Sequence, residues 1–264
     1  MERKKIGLAL SGGAARGFAH LGVLKVFAEH EIPIDYIAGT SAGSIVGAAY
    51  ASGMSAEEIA ALGKKISWYR ITKFSYSPKG LLSNAPLGTL IENNFPVVNF
   101  EDLPIPFAAV ACDLETGDEV VLKDTGDLAT AVRASCAVPG VFAPVGHKGR
   151  MLIDGGIVSL VPTEAVIEMG AEIVIAVDVN ACGVSYWGTP STFLGVFFQS
   201  AMLLLRTAGK SQHYRADAVI IPQIAHLRPD EMGKMDEFIK AGEEAALEKI
   251  DEIKKLIFAK TVDG

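Results

Sequence analysis

The fold is decided by the stretch Ile34-Asp35-Tyr36-Ile37-Ala38-Gly39-Thr40-Ser41-Ala42-Gly43-Ser44. Its first half is an apolar run that predicts a buried strand, and its second half is a small-residue run that predicts a helix. The junction matches G-x-S-x-G, the pattern of a nucleophile elbow, in which a strained turn exposes the serine hydroxyl. Gly39 and Gly43 lie two residues either side of Ser41, where such a turn leaves no room for a Cβ. A Gly-rich helix N-terminus with a Ser N-cap would account for the same residues, so a second motif is needed to choose between the two interpretations.

The composition indicates one large α/β domain. The chain has 264 residues, of which 50% are hydrophobic, and its mean hydropathy is +0.31. A chain of this length and apolar content buries a substantial core, including strands that are covered on both faces. The net charge of −7 argues against a general nucleic-acid binder, because phosphate-backbone affinity depends on an excess of Lys and Arg. We therefore expect a single domain over residues 1–264 and no nucleic-acid partner.

Cysteine usage and the apolar runs bear on the compartment. Cys112, Cys136 and Cys182 are odd in number and lack C-x-x-C spacing, which suits neither a disulfide framework nor a zinc site. The apolar run Ile6–Leu10 stops too early for a signal peptide. The run Phe193–Leu205 is shorter than the ~20 residues that a bilayer span needs. We expect a cytoplasmic protein with buried thiols, no metal and no cofactor.

A Gly-rich loop follows the first predicted strand. The strand Ile6–Leu10 leads into Ser11-Gly12-Gly13-Ala14-Ala15-Arg16-Gly17 and then into a predicted helix at residues 18–30. This order of elements binds anions, either nucleotide phosphates or an oxyanion held by backbone N–H groups. The dinucleotide fingerprint needs Gly where this chain has Ala14, so the oxyanion hole is favoured. A plain tight turn would satisfy Gly12-Gly13 equally well.

Residues 64–79 form a basic and aromatic segment. No acidic residue occurs between Ile59 and Ile91, whereas the whole chain is negatively charged. Such a segment suits a lid, or a peripheral contact with an anionic lipid surface at the inner face of the membrane. A solvated loop whose aromatic side chains return to the core is an equally good interpretation.

Asp154 is the second candidate site residue. It ends a short apolar strand and is followed by Gly155 and Gly156, which let another backbone or a substrate approach. Open α/β sheets place their sites outside the carboxyl ends of strands, which is where this carboxylate is expected. A turn Asp that accepts backbone N–H bonds is the alternative. Asp113 and Asp178 also end apolar runs, so position alone does not single out Asp154.

The rest of the chain predicts alternating strands and helices. Helices are predicted at residues 42–53, 55–66, 84–94, 128–137 and 191–210, and strands at 107–114, 119–122, 142–145, 151–154, 172–179 and 218–221. The last segment, 230–260, has an apolar stripe on one face and charges elsewhere. It is predicted to close the core, with docking of a partner or a membrane surface as the alternatives.

In chain order, three motifs resemble those of the patatin-like phospholipase family, specifically its small bacterial members. They are the loop 12–17, the elbow 39–43 and Asp154-Gly155-Gly156, and the similarity covers roughly Ile6 to Met169. Arg133-Ala134-Ser135, Val138-Pro139-Gly140 and Val161-Pro162 are also similar to sequence between and after those motifs. The resemblance implies a three-layer α/β/α fold with a mainly parallel central sheet, completed by residues 170–264. It also implies a lipid acyl hydrolase that works with a Ser-Asp dyad.

The resemblance assigns roles to residues. Ser41 would be the nucleophile and Asp154 the base, with Arg16 supporting the oxyanion loop. The family usually has Gly at the position of Ala14, and we expect Ala14 to keep φ below zero so that its N–H still points at the oxyanion. Ser159 replaces a frequent Asn, which puts support of the Asp motif in doubt. The implied oxyanion donors are the N–H groups of Gly12, Gly13, Ala14 and Ala15, and the implied supporting glycines are Gly39, Gly43, Gly155 and Gly156.

Two other functions remain open. A Ser-His-Asp esterase of the α/β-hydrolase type would use His213 or His226, although five histidines make that chain order easy to find by chance. A catalytically idle acyl-lipid-binding regulatory protein would keep the pocket without turnover, and the presence of both Ser41 and Asp154 argues against it. The sequence makes no prediction of the lipid head group, the acyl chain or the oligomeric state.

Overall fold

A mainly parallel sheet between two layers of helices forms the centre of the fold. The computed structural model describes residues 3–66, 68–75, 79–183, 190, 192, 196, 199–200, 203–204, 207 and 212–258. In this part of the chain the strands of the main sheet are β1 (Ile6–Leu10), β2 (Tyr36–Thr40), β5 (Phe107–Asp113), β6 (Glu119–Lys123), β7 (Val145–His147), β8 (Arg150–Asp154), β9 (Ile173–Val177) and β10 (Ala218–Ile220). Five of them lie in the order β10-β9-β1-β2-β5, all parallel, and β6 and β8 both pair antiparallel with β5. The predicted three-layer α/β/α fold is confirmed.

The helices and one small hairpin complete the described structure. A 3-10 turn at Ala14–Phe18 leads into the first helix, and the hairpin of β3 (Lys73–Phe74) and β4 (Leu82–Ser83) stands apart from the main sheet. The helices are α1 (Ala19–Glu29), α2 (Ala42–Ala51), α3 (Ala56–Gly63), α4 (Trp68–Ile71), α5 (Ala85–Asn94), α6 (Leu128–Ser135), α7 (Thr163–Glu168) and α8 (Met235–Phe258).

The two faces of the sheet carry side chains of different size. Leu8 and Leu10 of β1 point into the larger core, which they share with α1, α2 and α6. Ala9, between them, faces the opposite side, where Val166 of α7 packs on a layer made largely of Ala and Val. The alternation is the period of two expected of a strand buried on both faces. Small residues on the second face let α7 lie close to the strands.

The C-terminal helix α8 closes the core, as the sequence predicts. Phe238 and Ile253 of its apolar stripe are fully buried, and Ile239 of the same stripe is half-buried. The helix packs against α1 so closely that a Cβ on Gly22 would overlap the Ile239 carbonyl, and one on Gly242 would overlap the Ala19 carbonyl. Two glycines therefore set the distance between these helices.

Several predicted elements are confirmed and one is misplaced. Ser55 and Glu58 form the predicted capping box of α3, and the predicted hairpin is the antiparallel pair β5 and β6. The strand predicted at 142–145 is wrong, because the pairing with β8 begins at Val145. Lys148 and Gly149 both have positive φ, which suits a tight two-residue hairpin turn and fixes the register further along the chain. The predicted helix at 191–210 lies largely outside the described residues.

The cysteines and the described helices can be compared with the expectations from the sequence. Cys112 and Cys136 are buried free thiols, as predicted, and Cys182 is half-buried. Among the described helices, none combines the length and the apolar content that crossing a bilayer requires.

Candidate active site

Ser41 lies at a strained turn between β2 and α2. Its φ is +51°, in the left-handed region, where a non-glycine residue carries strain of about 1–3 kcal/mol. A Cβ on Gly39 would overlap the Gly43 carbonyl, and one on Gly43 would overlap the Leu10 carbonyl. Strand and helix therefore meet as closely as backbones can, which is the geometry of a nucleophile elbow.

A buried hydroxyl from another helix holds this elbow. The N–H of Ser41 donates to Oγ of Ser135, at 2.8 Å, and that hydroxyl donates in turn to the Val110 carbonyl, at 2.6 Å. Ser135 is fully buried at the end of α6. Sequence reasoning gave Ser135 no role, although it belongs to one of the stretches that resemble the patatin-like family. On the other side of the turn, Oγ of Ser44 donates to the Ser41 carbonyl at 2.6 Å.

The register of β5 brings Ser41 and Asp154 together. The last residue of β2, Thr40, lies opposite Val110, and the last residue of β8, Asp154, lies opposite the next residue, Ala111. β2 and β8 pair with the same edge of β5, and the C-terminal ends of both strands meet there, at Val110 and Ala111. Ser41 therefore leaves the sheet beside Asp154, although they are far apart in sequence.

Asp154 is a buried carboxyl with a perturbed pKa. Burial raises the pKa of Asp154 to about 6, against the lowering effect of hydrogen bonds from the Ser41 side chain and the Gly156 N–H. The Gly156 N–H donates to Oδ1 at 2.8 Å. Gly155 fits against β5, where a Cβ would overlap the Val110 carbonyl. A carboxyl with these properties can accept a proton near neutral pH.

The loop 12–15 offers fewer N–H groups than the sequence implies. The Gly12 N–H donates to the Leu160 carbonyl at 3.0 Å, and the Ala15 N–H donates to the Pro229 carbonyl at 2.9 Å. Both groups are thereby used within the fold. In the described part of the chain, the N–H groups of Gly13 and Ala14 have no acceptor. These two are the remaining candidates for an oxyanion hole in this loop.

The backbone of Ala14 differs from the expectation. Its φ is +50°, so the prediction of a negative φ is wrong. The loop turns at Ala14 to enter the 3-10 helix and to bring the next N–H onto Pro229, and this turn requires the left-handed region. Arg16 lies buried beneath the loop and donates to the Val179 and Leu227 carbonyls, which is consistent with its expected supporting role.

One N–H group beside the loop was missed in the sequence. Ala42 directly follows Ser41 in the first turn of α2, and its N–H has no acceptor among the described residues. In elbow hydrolases the residue after the nucleophile supplies an oxyanion donor. The G-x-S-x-G pattern itself was the signal that could have identified it.

An apolar pocket of about 120 Å³ opens beside Ser41. Its described lining is almost wholly apolar, with Ser41 and Asn84 as the polar exceptions. Cys136 also lines it, and burial raises the pKa of that thiol well above its usual range. The apolar lining residues include Ile45, Ile66, Ile71, Leu87, Val138, Phe142 and Met232.

His213 and His226, the candidates for the alternative Ser-His-Asp triad, do not line the pocket beside Ser41. Nε2 of His213 is 2.8 Å from Oδ2 of Asp178, and neither residue lines the pocket beside Ser41. His226 is exposed and does not line the pocket either. His20 is fully buried with Nε2 on the Ser11 carbonyl, and burial lowers its pKa to about 4, so it is neutral at physiological pH.

Comparison with known proteins identifies the family. The profile described as Patatin-like phospholipase matches residues 8–167. The chain belongs to the patatin-like phospholipase family. The resemblance drawn from the three sequence motifs is thereby confirmed.

Curated relatives share this patatin-like region. An uncharacterized NTE family protein of Mycobacterium tuberculosis is 38% identical over 179 residues, which are 67% of this chain and 49% of the relative. Lysophospholipase NTE1 of Meyerozyma guilliermondii is 30% identical over 187 residues, which are 69% of this chain and 13% of the relative. The matched region thus spans about half the length of this mycobacterial relative and a small part of the yeast one.

Solved structures share the patatin-like fold at low sequence identity. VipD of Legionella pneumophila aligns with a TM-score of 0.56 and 14% identity, covering 95% of this chain and 67% of VipD. A chain of the SpcU–ExoU complex of Pseudomonas aeruginosa aligns with a TM-score of 0.52 and 17% identity, covering 94% of this chain and 53% of that chain. At these identities the likeness concerns the fold alone.

Proposed function

We propose that this patatin-like protein hydrolyses carboxylic esters of lipids, with Ser41 as nucleophile and Asp154 as base. The observation that carries the proposal is the meeting of these two residues at one edge of β5, with a strained serine beside a buried carboxyl of pKa about 6. An unperturbed Asp, with a pKa near 3.9, would be a much weaker base for a serine hydroxyl.

The reaction is an acyl transfer in two steps. Asp154 accepts the Ser41 proton as Oγ attacks the ester carbonyl, and the N–H groups of Gly13, Ala14 and Ala42 stabilise the tetrahedral oxyanion. The intermediate collapses to an acyl-enzyme as the proton passes from Asp154 to the departing alcohol. Water then attacks the acyl-enzyme, gives its proton to Asp154 and releases the carboxylic acid as Ser41 is re-protonated.

The substrate class follows from the pocket. Its apolar lining beside Ser41 suits an acyl chain, since burial of apolar surface drives such binding. Lysophospholipase NTE1, a relative over the same region, is named for an activity on a lipid ester. We therefore assign the acyl group to the pocket and leave the alcohol outside it.

Turnover of a soluble ester and of lysophosphatidylcholine tests the proposal. Ser41→Ala and Asp154→Asn should each lower kcat by at least about 10³-fold, because nucleophile and base act as a unit. His213→Ala is the matched control and should leave kcat unchanged. Melting temperatures of all three variants establish that they are folded.

Two outcomes would overturn the proposal. If Asp154→Asn keeps near-normal turnover while His213→Ala loses it, the reaction uses a Ser-His-Asp triad. If the folded protein turns over no ester and a fluorophosphonate fails to label Ser41, the protein is an idle lipid binder.

A further inference from the structure

A basic hairpin with two exposed apolar side chains lies beside the pocket. Phe74 of β3 is 71% exposed and Leu81, which precedes β4, is 68% exposed. Lys65, Arg70, Lys73 and Lys79, which belong to the same stretch of the chain, are also exposed. We call these six residues the hairpin surface.

The charge of this surface is opposite to that of the chain. The described residues of the hairpin surface are four cations and two apolar residues, and the sequence has no Asp or Glu between residues 59 and 91. The whole protein carries a net charge of −7. A concentrated positive patch on a negative protein favours an anionic partner at this one place.

The apolar pair lies near the turn end of the ribbon. Phe74 lies opposite Leu82 in the β3–β4 pair, and the Ser75 N–H donates to the Leu81 carbonyl at 3.1 Å. Phe74 and Leu81 therefore lie at one end of the two-stranded hairpin, which is separate from the main sheet. Large exposed apolar side chains in a segment rich in Lys and Arg are the combination that enters the head-group region of an anionic bilayer.

The hairpin surface is continuous with the pocket. Ile66 and Ile71, which directly follow Lys65 and Arg70 in the chain, line the pocket beside Ser41. Leu82 forms a β-bridge with Phe142, another lining residue. The same segment thus has one side in the acyl pocket and the other in solvent.

We propose that the hairpin surface docks the protein on an anionic phospholipid bilayer, with Phe74 and Leu81 inserted between head groups. Docking in this orientation places the pocket against the surface from which a lipid would enter. The inference deepens the proposed function and rests on it for the meaning of docking, whereas docking itself requires no turnover.

Vesicle binding of a Ser41→Ala background tests docking without hydrolysis. We expect it to co-sediment with vesicles of equimolar phosphatidylcholine and phosphatidylglycerol far more than with phosphatidylcholine alone, and to dissociate as salt is raised to about 1 M. Lys73→Gln with Lys79→Gln should weaken binding about 25-fold, since each cation near an anionic surface contributes about fivefold. Phe74→Ser with Leu81→Ser should weaken it by roughly tenfold or more, because apolar insertion is lost.

Matched variants control for net charge and for exposed apolar area. Lys249→Gln with Lys255→Gln makes the same change in net charge on α8, and Leu247→Ser removes a 49% exposed leucine there. Both should bind vesicles as the Ser41→Ala background does. In the wild-type background, none of these substitutions should alter turnover of a soluble ester, because none of the residues lines the pocket.

The outcomes separate the two proposals. Equal binding to neutral and anionic vesicles, or equal losses in hairpin and α8 variants, would overturn docking. Absence of vesicle binding together with capture of an acidic protein would also overturn it. Vesicle binding by a protein with no ester turnover would support docking and contradict the proposed hydrolysis.

Discussion

Removal of the Ser135 hydroxyl tests whether its hydrogen bond, made from the end of α6, holds the backbone of Ser41 in the elbow conformation. In Ser135→Ala the Ser41 N–H loses its acceptor at 2.8 Å, and the Val110 carbonyl loses a donor at 2.6 Å. A buried donor left without a partner costs about 1–3 kcal/mol. The left-handed backbone of Ser41 then has less to hold it, because such strain persists only where the surroundings enforce it. We expect the free energy of unfolding to fall by about 2–3 kcal/mol and kcat to fall by about 10- to 100-fold, since a displacement near 1 Å is that costly.

The assay compares stability and kinetics in the same protein. Urea unfolding gives the change in free energy, and initial rates on a soluble ester give kcat and KM separately. KM should stay within about twofold, because the pocket lining is unchanged. Ser52→Ala is the matched control: its buried Oγ donates to the Ala49 carbonyl at 2.7 Å, at the far end of α2 from Ser41. That variant should lose about 1 kcal/mol of stability and keep its kcat.

One result would refute the reasoning about Ser135. If Ser135→Ala loses stability as expected but keeps kcat within about twofold of wild type, the hydroxyl is a fold contact and does not position the nucleophile. If Ser52→Ala loses as much kcat as Ser135→Ala, the effect is a general consequence of lost buried hydroxyls.

Three further predictions concern the carboxyl and the loop. The pKa of Asp154 is raised from 3.8 to about 6, so the folded protein binds this proton more tightly than the unfolded chain does. Protonation of Asp154 therefore stabilises the folded state fully below pH 3.8, and this contribution of about 3 kcal/mol is lost as the pH rises through about 6. Urea unfolding at a series of pH values should show this pH dependence in the wild type and not in Asp154→Asn. Ala14→Gly should raise the melting temperature and change kcat less than about tenfold, because glycine adopts the observed positive φ without strain; a falling melting temperature would argue against that strain. Gly13→Val should lower kcat more than it raises KM, since its Cβ would overlap Val179 and displace the loop; an unaffected variant would place the oxyanion hole elsewhere.

Local pattern was sufficient to predict the elements that carry the site. Gly39 and Gly43 could be identified because an elbow has no space for a Cβ, and this is a property of adjacent residues. The end of an apolar strand did not by itself separate Asp154 from Asp113 and Asp178, but the two glycines after Asp154 added a second local signal. These signals lie within a few residues of one another, where sequence and geometry are directly related.

Distant hydrogen-bond partners were the features that the sequence could not predict. Whether the Gly12 N–H is available depends on Leu160, and whether the Ala15 N–H is available depends on Pro229. The φ of Ala14 follows from the same tertiary contacts, which is why its expected sign was wrong. The contact of Ser135 with Ser41 likewise depends on where α6 ends above β5. No local periodicity encodes such pairings.

The glycine contact between α1 and α8 also affects when the site can form during synthesis of the chain. Ala15 acquires its contact with Pro229, and Arg16 its contact with Leu227, only after more than two hundred further residues have been synthesised. The same holds for the packing of α1 against Gly242. Contacts so distant in sequence form late in folding, and a growing chain emerges N-terminus first. A nascent chain that has emerged only as far as β9 therefore carries Ser41 without the buttressed loop beside it. On the proposed mechanism, such a chain lacks the loop's share of the oxyanion hole, so full hydrolytic activity is expected only after α8 has packed against α1.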